Sequence, residues 1–491
     1  MKKALIMILA YNAEKHIASV LDRIPEKLFN NPEYESEIVV IDDCSKDATS
    51  RVAKNYIETS KRPIKLLRNQ TNQGYGGNQK IGYNYAIENN FDAVVMVHGD
   101  GQYPPEFIDQ MIEPILREQA DAVFGSRMLN KKDALAGGMP KYKFVGNIVL
   151  TTVQNLFLGS RLSEFHSGFR AYGVAALKKI PFGCNSNVFH FDTDIIIQLV
   201  DNKLVIKEIP IPTRYGDEVC HVNGMRYALD VMISTFISRI QKCGIFYDPK
   251  FDYEETLTYP DKTSFTSSHS FAIEHVGAGK NVLDIGGGEG YVSGILRSKG
   301  CKVTACDWRY NAEMLKHYDK LFTMDLNNPD FSTFGNEEFE TILILDVIEH
   351  VMFPEKFLEQ LHAWCAEKNP KIIITTPNIA LFIQRIMLLL GQFNYGKRGT
   401  LDMTHTRLFT FASLQRLVRN AGFTIEEIKG IPIPFPLAIG DNIISRMLLK
   451  INIGLIKLSK GLFSYQIAVV AKPMPTLATL TKQAIEHGEK I

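Results

Sequence analysis

The sequence has almost no net charge: 55 lysines and arginines face 54 aspartates and glutamates, leaving +1. That balance gives no global argument for nucleic acid as a partner. None of the seven cysteines form a C-x-x-C pair. Cys301 and Cys306 share the strand-like stretch "CKVTACDW" and read as packing residues, not metal ligands. The cysteine usage suits a reducing cytosol. No uninterrupted apolar run is long enough to span a bilayer. The two best stretches, "IALFIQRIMLLLGQF" and "IISRMLLKINIGLIKLSKGLF", are broken by Arg385, Arg446, Lys450, Lys457 and Lys460. The first reads as a core helix. The second is either a core helix or a basic amphipathic helix lying on a membrane. Solenoid repeats and low-complexity tracts are also missing. The opening "MKKALIMILAYNAE" has too short an apolar run for a leader and no small-residue cleavage site. It reads as a first strand ending at Tyr11–Asn12.

What is present is two alternating halves. With 491 residues, 45% apolar and 22% charged, the chain is globular and too long for one core. "ALIMILA", "SEIVVIDDCS", "IKLLRN" and "DAVVMVHGD" read as strands separated by helical patterns. Around "IFYDPKFDYEETLTYPDKTSFTSSHS" the pattern lapses into polar, proline- and serine-bearing sequence. A second series then runs through "NVLDIGGGEG", "KVTACDW", "LFTMDLN", "ETILILDVIEHV" and "PKIIITTPN". The expected division is a domain over 1–245, a linker over 246–268, a second domain over 269–475 and a tail over 476–491. Each series implies a doubly wound α/β domain that binds ligands at the carboxyl ends of its strands.

The first set of strand ends is rich in acids and amides. "VVIDDCSKDAT" delivers Asp42 and Asp43, suited to a base and to ribose hydroxyls, or to capping the helix that follows. "VVMVHGDGQYPPE" ends a strand on His98 and Asp100, with Gln102 two residues on. The glycines and prolines around Asp100 leave it no capping or core role. A nucleoside diphosphate leaving group is neutralised by a divalent metal, which needs oxygen ligands. Asp100 and Gln102 supply them, and His98 is either a third ligand, favouring manganese over magnesium, or bonded to backbone.

The motifs "AYNAE", "VIDDCSKDAT", "NQGYGGNQKIGYNYA", "HGDGQYPPE", "GSRML", "HSGFRAY" and "FDTDI" follow in order over the first 220 or so residues. Here the chain resembles the family 2 glycosyltransferases of the dolichyl-phosphate-mannose-synthase-like group. The resemblance implies a GT-A fold, a UDP- or GDP-linked sugar donor, a lipid-phosphate or glycan acceptor, inversion at the sugar carbon and magnesium or manganese. It places Asn12, Glu14, Asp42 and Asp43 on the nucleotide side and Asp100 on the second acid of the metal motif. His98 stands where the family usually has the first acid. Arg127, Arg170 and Arg214 fall where such enzymes hold phosphates, or form ion pairs. Asp192 and Asp194 are the candidate bases, needed for a sugar hydroxyl and dispensable for a phosphate nucleophile.

In the second half, "VLDIGGGEGYVSGIL" has the spacing D-x-G-x-G-x-G, with Asp284, Gly286, Gly288 and Gly290. Tyr291 stands where the last glycine of a pyrophosphate-binding turn would fall. Asp307 ends the next strand, at the distance at which an acid reaches ribose hydroxyls, and Asp325 and Asp346 end two more. Together these resemble the Rossmann-like S-adenosylmethionine-dependent methyltransferases, over about 271–472. The resemblance places the cofactor on Asp284, Gly286, Gly288, Gly290, Asp307, Asp325 and Asp346. It puts His350 and His405 near the methyl acceptor; the bland reading has them bonding backbone. The expectation is a cytoplasmic enzyme with two transferase activities, touching a membrane only if the basic helix does so. The rival expectation is that one half binds its ligand without turning it over.

Overall fold

The computed structural model describes residues 1–213, 223–243, 245–253, 261–309, 314–335, 337–476 and 479–481. It divides into two compact units, Met1–Arg239 with Asp248–Glu255, and Ile240–Tyr247 with Thr256–Ile491. The chain therefore alternates between units around 240–255 before settling in the second.

The first unit is built on seven strands: β1 (Lys2–Ala10), β2 (Tyr34–Asp42), β3 (Ile64–Arg68), β4 (Ala93–His98), β5 (Ala122–Ser126), β6 (Arg170–Gly173) and β7 (Ile206–Pro210). They lie in the order β3-β2-β1-β4-β6-β5-β7. All pairings are parallel except those of β6, which runs against both β4 and β5. The strands of the sheet centre, such as "ALIMILA", are apolar on both faces because helices cover both faces. Ile6, Ile8 and Val40 pack on one side, and Leu5, Met7 and Val39 on the other. Parallel strands all end at one edge. The reversed β6 begins at that edge, since Arg170 pairs with Met96 and Phe124. The carboxyl ends of β1, β2, β4 and β5 and the approach to β6 therefore meet.

The second unit holds β8 (Asn281–Ile285), β9 (Lys302–Asp307), β10 (Lys320–Thr323), β11 (Thr341–Leu345), β12 (Lys371–Pro377), β13 (Phe423–Ile431) and β14 (Gln466–Pro473). Their order is β10-β9-β8-β11-β12-β14-β13, with β14 antiparallel to both neighbours. Again the reversed strand starts at the ligand edge, where Gln466 faces Pro377.

The "IALFIQRIMLLLGQF" segment departs from the core reading. Its helix, Phe382–Leu389, buries Gln384 and Met387, while Ile386, Leu388 and Leu389 are exposed. The helix Ile443–Leu458 likewise turns Ile443, Met447, Ile451, Leu455 and Leu458 outward. Among the described residues, no helix is long and apolar enough to cross a membrane.

Candidate active sites

At the edge of the first sheet, short-range clips shape the loops. Asn12, in the left-handed region at φ 51°, accepts from Lys46 N (2.9 Å) and donates its own N–H to Ser45 Oγ (2.9 Å). Glu14 accepts from Ala48 N at 2.8 Å. Both tie the loop after β1 to the loop after β2. Asp42 is buried, accepting from Ser45 N (3.0 Å) and from Ser50 Oγ, with Arg68 at 3.7 Å. Asp43 accepts from Asn69 Nδ2 (2.7 Å), Gln73 N (2.8 Å) and Gly74 N (3.0 Å). It holds the start of the helix Gly74–Glu88, where a carboxylate also meets the helix dipole favourably. Asp43 thus holds the helix Gly74–Glu88 and not the next helix, Thr49–Thr59. Asp42 and Asp43 are both buried and held by protein donors.

The centre of the edge is a chain of rings and acids. Tyr75 donates its hydroxyl to Asp192 at 3.0 Å and lies 3.3 Å from His98 Nε2. A phenol has one proton, so His98 must be the donor in that second contact, which leaves Nδ1 as its acceptor nitrogen. Burial lowers the His98 pKa, and the nearby Asp100 charge only partly offsets this, so the ring is neutral. Tyr103 packs edge-on against His98, 4.9 Å between centroids, and its hydroxyl accepts from Gly168 N at 2.8 Å. Gly168 has to be glycine: a Cβ there would fall 2.8 Å from the His98 ring. Asp100 uses one oxygen to accept from Gln102 N (3.0 Å). Asp192 also accepts from Gln79 Nε2 at 3.1 Å.

The arginines divide. Arg127, just past β5, forms a buried pair with Glu164 and donates to His166 O at 3.0 Å. Burial alone would push the Glu164 carboxyl up, but Arg127 and Asn147 together hold it below its ordinary value. Arg170 departs from the phosphate-holding role. It is 1% exposed and donates to the carbonyls of Ser167 (2.7 Å), Asp192 (3.0 Å) and Phe165 (2.6 Å). Asp194 departs from the base role: it is fully buried, accepting from Ser186 N and Ser234 Oγ and paired with Lys250 at 3.3 Å. Arg214 lies outside the described residues. Tyr75, Tyr103 and Glu164 were not singled out from the sequence. No local pattern marks them, because the partners that fix them lie far away in sequence.

At the second edge, Gly286, Gly288 and Gly290 take φ of 70°, 52° and 76°, which only glycine adopts cheaply. A Cβ on Gly286 would also fall 2.5 Å from Val347. Asp284 accepts from Ser293 Oγ. Burial pushes its pKa up to about 6; the Ser293 bond opposes the rise and the Asp307 charge adds to it. Asp307 accepts from Gly288 N (3.3 Å) and Trp308 N (2.6 Å), placing it against the glycine turn. Asp325 is exposed and accepts from Asn327 N at 2.9 Å. Asp346 is gripped by Thr375 Oγ1 (2.7 Å), Gln466 Nε2 (2.7 Å) and Lys262 (3.5 Å). Burial raises its pKa, but Lys262 and Thr375 outweigh this and hold it below the usual value. His350 and His405 come together, 4.8 Å between ring centroids, although 55 positions apart in "DVIEHV" and "DMTHTRL".

With this geometry in view, the comparisons with known proteins are direct. A model described as "Glycosyl transferase family 2" matches residues 5–181, and one described as "Methyltransferase domain" matches residues 263–428. An uncharacterized protein of Methanocaldococcus jannaschii is 31% identical over 212 residues, 43% of this chain and 82% of that one. The UDP-N-acetylglucosamine–dolichyl-phosphate N-acetylglucosaminyltransferase of Methanococcus voltae is 31% identical over 223 residues, 43% of this chain and 86% of that one.

The chain belongs to glycosyl transferase family 2.

An undecaprenyl-phosphate mannosyltransferase of Micrococcus luteus is 25% identical over 211 residues, 43% of this chain and 82% of that one. The glycosyl transferase match ends well before the second unit begins, and that unit carries the methyltransferase domain. The chain is thus a glycosyltransferase fused to a methyltransferase.

One consequence concerns pH. The Asp284 pKa is raised in the fold, so its contribution to stability is full below the unfolded value near 3.9 and is lost as pH rises through about 6. Asp284→Asn is neutral at every pH and removes this dependence. Urea midpoints measured from about pH 4 to about pH 7 should fall less steeply for the variant than for the parent. Equal slopes would contradict the assignment.

Proposed function

We propose that the first unit transfers a sugar from a nucleotide donor to a lipid phosphate, and that the second transfers a methyl group from S-adenosylmethionine. The observation that carries the lipid reading is the exposed apolar stripe found on each unit by itself. On the helix Gly224–Lys242, Met225, Leu229, Ile233 and Phe236 recur at three- and four-residue steps, with Met225 85% exposed. On the helix Ile443–Leu458 the stripe is Ile443, Met447, Ile451, Leu455 and Leu458, with Ile443 87% exposed. Arg446, Lys450 and Lys457 accompany the second stripe. Apolar residues in register beside basic ones suit the face of an anionic membrane, where a polyprenyl acceptor resides. The names of the Methanococcus and Micrococcus relatives, which carry dolichyl and undecaprenyl phosphate, point the same way.

The residues of the first edge fit a divalent metal shared with the donor. His98, donating through Nε2, keeps Nδ1 for the ion, an outer-shell arrangement in which Tyr75 and Asp192 fix the ring. Asp100 offers the oxygen not engaged by Gln102 N, and Gln102 adds its amide oxygen. Few protein ligands leave most positions to water and the diphosphate, as is usual for magnesium and manganese in phosphate chemistry. When bound, the ion neutralises charge on the departing diphosphate. A phosphate nucleophile is already anionic, so Asp192 serves to hold Tyr75 and Gln79 rather than to remove a proton. Asn12 and Glu14 hold the nucleotide-side loops. Arg127, its charge matched by Glu164, takes the smaller share of phosphate binding. At the second edge the glycine turn lets backbone approach the cofactor. Asp307 accepts from ribose hydroxyls and Asp325 from the exocyclic amine. Asp346 is held rigid by Thr375 and Gln466.

Two experiments test this. Asp100→Asn keeps the acceptor for Gln102 N but removes the charge, and sugar transfer to a polyprenyl phosphate should be abolished. Substantial turnover at saturating manganese would refute the metal assignment. Ile451→Glu places a charge in the exposed stripe and should reduce co-sedimentation with vesicles containing anionic lipid. Unchanged vesicle binding, or none by the parent, would refute the membrane contact.

A further inference from the structure

Glu349, His350 and His405 lie at the second edge, just beyond Asp346. One potential ligand atom from each lies within 4.8 Å of the other two. Among the described residues this is the one such grouping of three. Ligands bonded to a single ion at about 2.0–2.2 Å lie about 3–4 Å apart, so only small side-chain adjustments separate this grouping from a coordination shell.

Two further observations point to a ligand. The first is an orphan. Glu349 is 1% exposed; its Oε2 accepts from Thr376 Oγ1 at 2.9 Å, but Oε1 is buried with no hydrogen-bond partner. A buried carboxyl oxygen left so carries a desolvation cost. The second is the tautomer. His350 Nδ1 lies 3.3 Å from Thr404 O, and His405 Nδ1 lies 3.1 Å from Thr400 O. A carbonyl can only accept, so each Nδ1 carries a proton, and in the neutral ring each Nε2 keeps its lone pair. That is the pattern of a metal-binding imidazole oriented by a backbone acceptor.

The two sequence segments are also fastened to each other. Thr406 N and Arg407 N donate to Glu349 O at 2.9 and 3.1 Å, and Thr406 Oγ1 donates to Val351 O at 2.9 Å. His405 N donates to Asp402 O at 3.0 Å. The cluster is therefore built by long-range backbone bonds and does not arise from neighbours on one helix.

We infer that Glu349, His350 and His405 bind a divalent transition-metal ion through one carboxylate oxygen and two imidazole nitrogens. Two nitrogens and one oxygen favour zinc, cobalt or manganese over magnesium and calcium, which prefer all-oxygen shells. Three protein ligands leave positions open, as in catalytic and not structural sites. The open positions suit an acceptor that reaches the ion through a hydroxyl oxygen, whose acidity the ion would raise. That oxygen would form the new C–O bond with its lone pair while its proton passes to solvent. The S–C bond of the sulfonium breaks, its electron pair staying on sulfur as a thioether. This use of the ion rests on the methyltransferase reading; the site itself does not.

Cobalt(II) is the probe. Titrated into the full chain carrying Asp100→Asn, which disables the metal site proposed at the first edge, it should give visible absorption bands of a nitrogen-ligated ion, saturating at one ion per chain. In His350→Ala and His405→Ala the affinity should fall at least about 100-fold, beyond the loss typical of an outer-shell partner. Glu349→Gln, which keeps size and the Thr376 contact, replaces either variant should it fail to fold, and should weaken cobalt by a similar factor. A thermal shift with S-adenosylmethionine, run on the same samples, reports the cofactor site separately. Absence of the bands in the Asp100→Asn chain, or bands that survive these further substitutions in it, overturns the inference. Loss of the cofactor shift with bands intact counts only against the methyltransferase reading.

Discussion

A loop that approaches a sheet edge buries peptide groups that have no ladder partners and need others. In the first unit the buried guanidinium of Arg170 meets that need. It gathers the carbonyls of Phe165, Ser167 and Asp192 at one point, joining the approach to β6 with the helix Phe191–Asp201. Asp192 is thereby fixed in front of Tyr75, and Tyr75 in front of His98. The ring of His98 is bounded further by Tyr103, packed edge-on, and by the bare backbone of Gly168. Removing Arg170 would take the donor from the loop carbonyls of Phe165 and Ser167, at about 1–3 kcal/mol each. The residue is thus an organiser of the site while touching no ligand itself.

The same constraint recurs in the second unit with different residues. There the reversed strand β14 brings Gln466 to the edge, and Gln466, Thr375 and Lys262 fix Asp346. In both sheets one antiparallel strand feeds side chains into an edge otherwise made by parallel strands. That explains why each site draws on residues far apart in sequence.

Much of this was legible in the sequence. The D-x-G-x-G-x-G turn announces its positive φ angles, and "HGDGQ" announces an acid at a strand end. Both signals are local. The donors that hold Asp42 and Asp43, Ser50 and the 69–74 segment, are not visible from the pair itself. Arg170 misled because a guanidinium in a motif reads as a phosphate holder until its burial is known. Glu164 carries no periodic signal. Glu349 stands inside a motif that drew attention to its neighbours. The helix Phe382–Leu389 was misread because apolar composition does not say whether a helix faces a core or solvent. Strands β13 and β14 fall after the alternating series ends, where strand order alone assigns them.

The central claim is that one chain carries two ligand sites, each at the carboxyl edge of its own sheet. Hydrogen–deuterium exchange on the full chain tests it most directly, with S-adenosylhomocysteine and then with UDP- and GDP-sugars plus manganese. The account predicts that the thioether protects peptides spanning 284–291, 307 and 346. It predicts that a nucleotide sugar protects those spanning 98–103, 126–127 and 164–170. Protection by either ligand at the opposite ends of the strands, or at neither edge, would contradict it.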